Sequence, residues 1–183
     1  MQRISILLLV LVVCFATAMQ AQAPAPKPDP ALKKLHVLVG HWTEEGEYKP
    51  GPLGPGGKTT GVYTAQMILG GFFMQAEETE KGAMGETRSL EVYAYDPVNK
   101  NLTCNVYMSD GSTFSGVVTV SGNTLTWAGK STVAGKQYLF RQPMIFAPDL
   151  MTATAKGEIS VDGKTWTPFF EVEYTKAKPA PKK

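Results

Sequence analysis

The hydrophobic pattern of this chain changes its period once, close to Gly40. Before that point one apolar stripe has the i, i+3, i+4, i+7 spacing of an amphipathic helix. The stripe consists of Leu32, Leu35, His36 and Val39. Asp29 suits the N-cap, Pro30 suits the first helical position, and Gly40 suits the end of the helix. We therefore predict a short N-terminal helix that buries this stripe, including His36, against the rest of the protein.

From His41 onward the period shortens to two, which is typical of β-strands with one buried face. The predicted strands are 41–48, 59–68, 72–80, 87–95, 101–108, 113–121, 124–129, 136–144, 150–160 and 166–176. Turn-forming sequences such as Asp96-Pro97 and Asp162-Gly163 separate several of them. Because an open sheet of that size exposes its edges, we expect an all-β fold: a single antiparallel up-and-down β-barrel of about ten strands, closed at one end by the short helix. A two-sheet sandwich is the alternative.

The N-terminus has the pattern of an export signal. A positive charge at Arg3 precedes an apolar run over residues 4–16, and small residues follow. Cleavage is expected after Ala18, with Ala23 as a later alternative. The expected divisions are a signal peptide (1–18), a Pro/Ala-rich linker (19–28), a β-barrel domain (29–176) and a basic tail (177–183). We therefore expect a periplasmic or secreted protein with no membrane span after signal removal.

Charge and cysteine content exclude two further possibilities. Residues 40–174 contain ten lysines and arginines against fifteen aspartates and glutamates. An acidic domain of this kind lacks the basic surface of a nucleic-acid binder. After signal removal Cys104 is the remaining cysteine, so no internal disulfide can form. Cys104 shares a strand face with Leu102 and Val106, which predicts a buried, unreactive thiol.

Two glutamates are candidate functional residues because strand alternation places them beside apolar side chains. Trp42 and Glu44 share one face of the first strand, and Met74 and Glu78 share one face of the third. If those faces point inward, Glu44 and Glu78 approach one another inside the barrel, and the pKa of at least one is raised. Such a pair suits acid–base chemistry. The alternative is that both carboxylates lie in solvent at strand ends.

Arg141 is the other candidate polar group. It follows Phe140 in a mostly apolar strand, so its guanidinium needs a fixed partner. One alternative is a ligand carboxylate held by two hydrogen bonds. The other is structural: an aromatic ring such as Trp42, or a glutamate. His36 and His41 lack the spacing of a usual zinc site and have no evident third ligand. The sequence therefore indicates no metal site and no cofactor.

Several segments resemble known barrel families. The short helix followed by Gly40-His41-Trp42 is similar to the entry of lipocalin-like (calycin) barrels, in which the tryptophan packs over the closed end. Residues 32–175 as a whole resemble the bacterial domain-of-unknown-function family numbered 1579. The matching segments are 69–73, 91–97, 108–111, 162–166 and 173–174. The resemblance implies a ten-strand barrel with an interior cavity and no established activity.

Related barrels suggest two kinds of ligand. Nitrobindin barrels bind haem through a histidine late in the chain, and this sequence has no histidine after His41. Fatty-acid-binding and lipocalin relatives hold an anionic head group with interior arginines, for which Arg141 is the counterpart by position. Both statements are analogies between folds.

The sequence thus favours a binding module that holds a small apolar or amphipathic ligand inside the barrel. The candidate ligand-binding residues are Trp42, Glu44, Glu78, Arg141, Met74 and Phe140. Two alternatives stay open. One is an envelope interaction protein whose barrel is packed and holds no ligand; the other is a hydrolase or isomerase that uses the carboxylates. We expect no catalytic residue and no metal ligand under the favoured hypothesis.

Overall fold

Alternating apolar and polar residues form ten antiparallel strands. The computed structural model describes residues 25–83 and 85–178. The strands are β1 (Gly40–Tyr48), β2 (Gly57–Ile68), β3 (Phe73–Gly82), β4 (Gly85–Asp96), β5 (Asn101–Met108), β6 (Thr113–Ser121), β7 (Thr124–Val133), β8 (Lys136–Phe146), β9 (Thr152–Ser160) and β10 (Thr167–Lys176). All ten predicted strands are present, and the largest difference is in β7, which continues to Val133. The predicted signal peptide lies outside the described residues.

The strands form one closed barrel with up-and-down topology. Each strand pairs with the next one along the chain, and β1 pairs with β10 to close the sheet. The closing register runs from Trp42 opposite Lys176 to Tyr48 opposite Phe170. The prediction of a barrel is confirmed, and the sandwich alternative is wrong. Connections after even-numbered strands lie at the end that carries the N-terminal helix, here called the helix end. Connections after odd-numbered strands lie at the opposite, loop end.

The predicted N-terminal helix is present, but it is a 3-10 helix spanning Pro30–Val37. A 3-10 helix has three residues per turn, so its buried positions recur at every third residue. Leu32, Leu35 and Leu38 are accordingly buried, whereas His36 is exposed. The prediction that His36 lies on the buried face is therefore wrong. A second, shorter 3-10 helix spans Leu69–Gly71. Within residues 25–83 and 85–178, no helix has the length and hydrophobicity needed to cross a membrane.

The N-terminal helix closes its end of the barrel through specific contacts. Trp42 donates a hydrogen bond from Nε1 to the Leu38 carbonyl oxygen at 2.8 Å. The Trp42 ring packs edge-on against Phe146, with 6.1 Å between the ring centroids. Lys176 donates from Nζ to the Val37 carbonyl oxygen at 3.1 Å and lies 5.0 Å from the Trp42 ring centroid. These contacts tie the helix to both β1 and β10.

The barrel interior is filled near its helix end by large side chains with almost no exposed surface, such as Met74 and Phe146. Cys104 is also buried there, and burial raises the pKa of its thiol. The prediction of a buried Cys104 is confirmed. The barrel interior is therefore packed next to the N-terminal helix.

Candidate functional site

A cavity of about 430 Å³ occupies the interior of the barrel toward the loop end. It extends from Trp42 and Leu38, above the plug formed by the helix, to loop-end residues such as Leu53, Ala83 and Ser112. Known small-molecule sites have volumes of roughly 300–1,000 Å³. The barrel is therefore hollow enough to hold a small organic molecule.

One side of this cavity, which we call the acidic wall, is formed by inward-facing glutamates of β1, β3 and β4. Its members are Glu44, Glu78, Glu80 and Glu91. Strand alternation places them inside: Glu78 and Glu80 continue the inward face that begins with the buried Met74 and Ala76. Four carboxyl groups thus share one half of a barrel interior.

Gly61 on β2 allows carboxyl groups from β1 and β3 to meet. Gly61 is paired with Glu44 across the β1–β2 ladder and with Glu80 across the β2–β3 ladder. A Cβ atom at this position would overlap Glu44 Oε1 and would lie 2.7 Å from the carbonyl oxygen of Thr79. The Glu44 carboxyl therefore occupies the space that a side chain on β2 would otherwise fill.

Three of the four glutamates accept hydrogen bonds from neighbouring hydroxyl groups. Glu80 accepts from Tyr48 at 2.7 Å and from Thr59 at 2.6 Å. Glu91 accepts from the Tyr93 hydroxyl at 2.5 Å, and that hydroxyl accepts from Trp127 Nε1 at 3.1 Å. Glu78 accepts a longer bond from Ser89 at 3.4 Å.

Two buried polar atoms of the cavity have no hydrogen-bond partner among the described residues. They are Oε1 of Glu44 and the hydroxyl oxygen of Tyr63. Glu44 is 3% exposed and Tyr63 is 7% exposed, and both side chains line the cavity. A buried polar atom without a partner carries a desolvation penalty of about 1–3 kcal/mol. At these two atoms, therefore, the protein's own groups leave hydrogen-bonding positions unused.

Burial and mutual proximity raise the pKa values of three of these carboxyls. Burial raises the pKa of Glu44 to about 7. Burial, followed by the charge of Glu78, raises the pKa of Glu91 to about 8. Burial and the adjacent Glu44 raise the pKa of Glu78 well above its usual range.

The opposite side of the cavity, which we call the apolar wall, comes from β5, β6, β8, β9 and β10. Its members are Val106, Met108, Phe114, Phe140, Met144, Ile159, Phe170 and Val172. Phe114 packs edge-on against Phe140, with ring centroids 5.4 Å apart, and Phe140 lies 6.2 Å from Phe170. Tyr48 joins this wall to the acidic wall, since it contacts Phe170 and also donates to Glu80. The cavity is therefore acidic on one side and aromatic and aliphatic on the other.

Every charged residue among the described residues that line the cavity is acidic. Glu86 and Asp110 join the four glutamates of the acidic wall as cavity-lining acids. Among the described residues that line the cavity, none is a lysine, arginine or histidine. The described part of the chain also contains no group of three His, Cys, Asp or Glu side chains placed to hold a metal ion.

The structure brings four of the six sequence-predicted residues together and separates two. Trp42, Glu44, Glu78 and Phe140 all line the cavity. Met74 is fully buried and is not one of the lining residues, because its position near the start of β3 places it in the packed helix end.

Arg141 lies on the outer surface of the barrel, so its assignment to the interior is wrong. Phe140 and Gln142 line the cavity, and alternation along β8 therefore turns Arg141 outward. Its Nε donates to Glu158 at 2.6 Å, and its guanidinium carbon lies 4.1 Å from the centroid of the Trp166 ring. Arg141 thus has the structural role, with a glutamate and an aromatic ring as partners, and the ring is Trp166 rather than Trp42.

Sequence reasoning missed Glu80, Glu91 and the tyrosines that line the acidic wall. Glu80 was detectable, because it is two residues beyond Glu78 and keeps the same parity. Glu91 has the parity of Tyr93, whose burial fixes the inward face of β4. What the sequence did not indicate is that all these groups surround one cavity.

Residues 27–176 match the family model described as protein of unknown function, DUF1579. The match covers most of the chain, and the protein belongs to this family. A comparison with curated proteins found no significant match.

The fold is also found among solved structures. The crystal structure of Rv2717c from M. tuberculosis matches with a TM-score of 0.61 and 13% sequence identity, covering 83% of this chain and 100% of the other. At that identity the likeness shows a shared fold. A de novo designed fluorescence-activating β-barrel matches with a TM-score of 0.41 and 11% identity, covering 78% of this chain and 95% of the design.

Proposed function

We propose that this protein is a binding module that holds a small amphipathic ligand inside its barrel. The observation that carries the proposal is the two-sided cavity of about 430 Å³, with an acidic wall from β1, β3 and β4 and an apolar wall from β5, β6, β8, β9 and β10. The apolar wall supplies affinity through burial of hydrocarbon surface, and the acidic wall fixes the orientation of the ligand's polar end.

The volume of the cavity favours this function over a packed interaction barrel. Side chains fill the interior of a small barrel when no ligand is held there. Here they do so at the helix end, around Met74 and Phe146, and not at the loop end. The two residues with an unpartnered buried polar atom, Glu44 and Tyr63, also line the cavity.

Native mass spectrometry of protein exported by a bacterial host, before and after organic extraction, tests the proposal. We expect an extractable adduct on the wild type. Met108→Trp places a large ring in the cavity and should abolish the adduct, whereas Tyr107→Trp changes a neighbouring side chain that is 55% exposed and should retain it. Equal adducts on both variants, or none on any chain and no binding of added amphiphiles, would refute the proposal.

We further propose that the barrel acts in the periplasm or outside the cell. The support is the signal-like pattern of residues 1–18 followed by a Pro/Ala-rich segment. Fractionation of cells that express the full chain tests this. Recovery of full-length protein from the cytoplasm alone would contradict it.

The pKa values of Glu44 and Glu91, about 7 and about 8, favour a second candidate function, which is proton transfer to or from the bound molecule. General acid–base catalysis is most effective when the pKa lies near the working pH. Incubation of the recovered ligand with the wild type and with Glu44→Gln, followed by mass analysis, separates the two functions. Chemical conversion by the wild type alone supports catalysis, and an unchanged ligand supports binding without turnover.

A further inference from the structure

We propose that the polar end of the ligand is an organic cation, an ammonium group held against Glu44, Glu78 and Glu91, with its hydrocarbon part on the apolar wall. This inference rests on the proposed function, since it names the chemical class of the ligand in the same cavity. It differs from the anionic head group that an interior arginine would have held, because Arg141 lies outside the barrel.

The charges that line the cavity are unbalanced. Four glutamates face one another in the interior, and no described lining residue carries a positive charge. Buried carboxyls are normally paired with a cation or fully hydrogen-bonded. Here Glu44 Oε1 has no partner among the described residues, although Glu44 is only 3% exposed. A cationic ligand supplies the hydrogen-bond donors and the charge that the protein's own groups do not.

The hydroxyl groups beside the glutamates leave one position open to a donor. The Tyr63 hydroxyl is on β2 opposite Glu78 and has no hydrogen-bond partner among the described residues. The Tyr48 and Tyr93 hydroxyls are already committed to Glu80 and Glu91. A ligand N–H at this point can donate to Glu44 and to the free lone pairs of Tyr63, which makes the β1–β3 part of the wall the best-equipped place for the ammonium group.

The surface next to the glutamates favours an organic cation over an inorganic one. The acidic wall adjoins a continuous aromatic and aliphatic surface that includes Phe114, Phe140 and Phe170. An inorganic ion makes no use of such a surface, whereas an alkyl or aryl amine buries its hydrocarbon part there. The combination therefore selects an organic cation.

Binding of a cation here must be coupled to proton release. The titratable groups that face the site come from every neighbouring strand of the acidic half: Glu44 (β1), Tyr63 (β2), Glu78 and Glu80 (β3), Glu91 and Tyr93 (β4), and Tyr174 (β10). At pH 7 Glu91 is largely protonated because its pKa is raised to about 8, and burial and the neighbouring Glu44 raise the pKa of Glu78 in the same direction. A positive charge within a few ångströms lowers those pKa values, so protons leave as the ligand enters.

The proposal is tested with three probes that share the same alkyl chain and differ in their head groups: n-octylammonium, n-octanol and n-octanoate. Each is titrated into the protein by calorimetry below its micellar concentration. Measurement at pH 7 in two buffers with different ionisation enthalpies counts the protons released. We expect n-octylammonium to bind at least about tenfold more tightly than n-octanol, which corresponds to about 1.4 kcal/mol, and to release protons. We expect n-octanoate to bind most weakly.

Two isosteric variants identify the site. Glu78→Gln should weaken n-octylammonium binding by about tenfold and reduce proton release, and retention of n-octanol binding shows that the variant is folded. Glu173→Gln, on the outer face of β10 beside the cavity-lining Tyr174, is the matched control and should change nothing.

Binding of n-octanol or n-octanoate as tightly as n-octylammonium overturns the cation proposal but leaves the amphipathic-ligand function standing. Binding of none of the three overturns both.

Discussion

At Gly61, the absence of a side chain determines where a neighbouring carboxyl lies. A Cβ atom there would overlap Glu44 Oε1 and approach the Thr79 carbonyl oxygen to 2.7 Å. We expect Gly61→Ala to destabilise the barrel by about 2 kcal/mol, as overpacking in a filled region usually does. Gly51→Ala is the control, since its nearest neighbour outside the adjoining residues is 3.9 Å away. Equal free energies of unfolding for the two variants in urea would contradict this account of Glu44.

The buried glutamates make the stability of the barrel depend on pH. Their pKa values are raised in the folded barrel, to about 7 for Glu44 and about 8 for Glu91, from an ordinary value of 4.5. The folded state therefore binds more protons than the unfolded chain between those values. This contribution is fully present below pH 4.5 and is lost as the pH rises through 7 and 8.

We accordingly expect the free energy of unfolding without ligand to fall by roughly 6 kcal/mol between about pH 5 and pH 8.5. Urea denaturation across that range measures it. Glu91→Gln should reduce the pH dependence to the part contributed by the other buried glutamates, because an amide does not titrate, and Glu173→Gln should leave it unchanged. A stability that rises over the same interval would show that the carboxyls are ionised and paired in the folded state.

The sequence predicted which barrel face a residue lies on only where apolar and polar residues alternate regularly. Along β1 and β3 the inward faces are regular, so the approach of Glu44 and Glu78 followed from parity. Along β8 apolar residues occupy both faces: Phe140 lines the cavity, while Leu139 on the outer face lies against the position of Gly163 in the β9–β10 connection. A loop that covers part of the outer surface hides the period of the strand, and Arg141 was misplaced for that reason.

Among the elements, the N-terminal helix shows what a hydrophobic stripe does and does not specify. Leucines at positions 32, 35 and 38 fit a three-residue repeat, while the α-helical interpretation selected His36 and Val39 instead. Both patterns predict a one-sided helix before Gly40. The choice between them depends on packing into the barrel end, where Leu38 also supplies the carbonyl oxygen that accepts from Trp42.

Substitutions on this helix distinguish the two patterns. Leu35 has no exposed surface, so we expect Leu35→Ala to lower the free energy of unfolding by about 3 kcal/mol. His36→Ala should change it by less than about 0.5 kcal/mol, because the side chain is exposed. Chemical denaturation of both variants measures the difference. A larger loss for His36→Ala would support the α-helical stripe.

At the scale of the whole molecule, strand number and closure followed from the sequence, but the hollow interior did not. Ten amphipathic segments joined by tight turns leave closure as the way to remove the sheet edges. The same inward residues, however, can fill a barrel or line a cavity. The outcome depends on how the walls approach one another. Here the helix closes one end of the barrel. Toward the other end, carboxyl groups that have no positively charged partner among the described lining residues line part of the interior.

The most direct test of the two-sided cavity is a crystal structure of the barrel grown with n-octylammonium. We expect electron density inside the barrel, with the alkyl chain on Phe114 and Phe140 and the nitrogen about 3 Å from a carboxyl oxygen of Glu44 or Glu78. Density with the nitrogen at the apolar wall, or a bound ligand only on the outer surface, would contradict it.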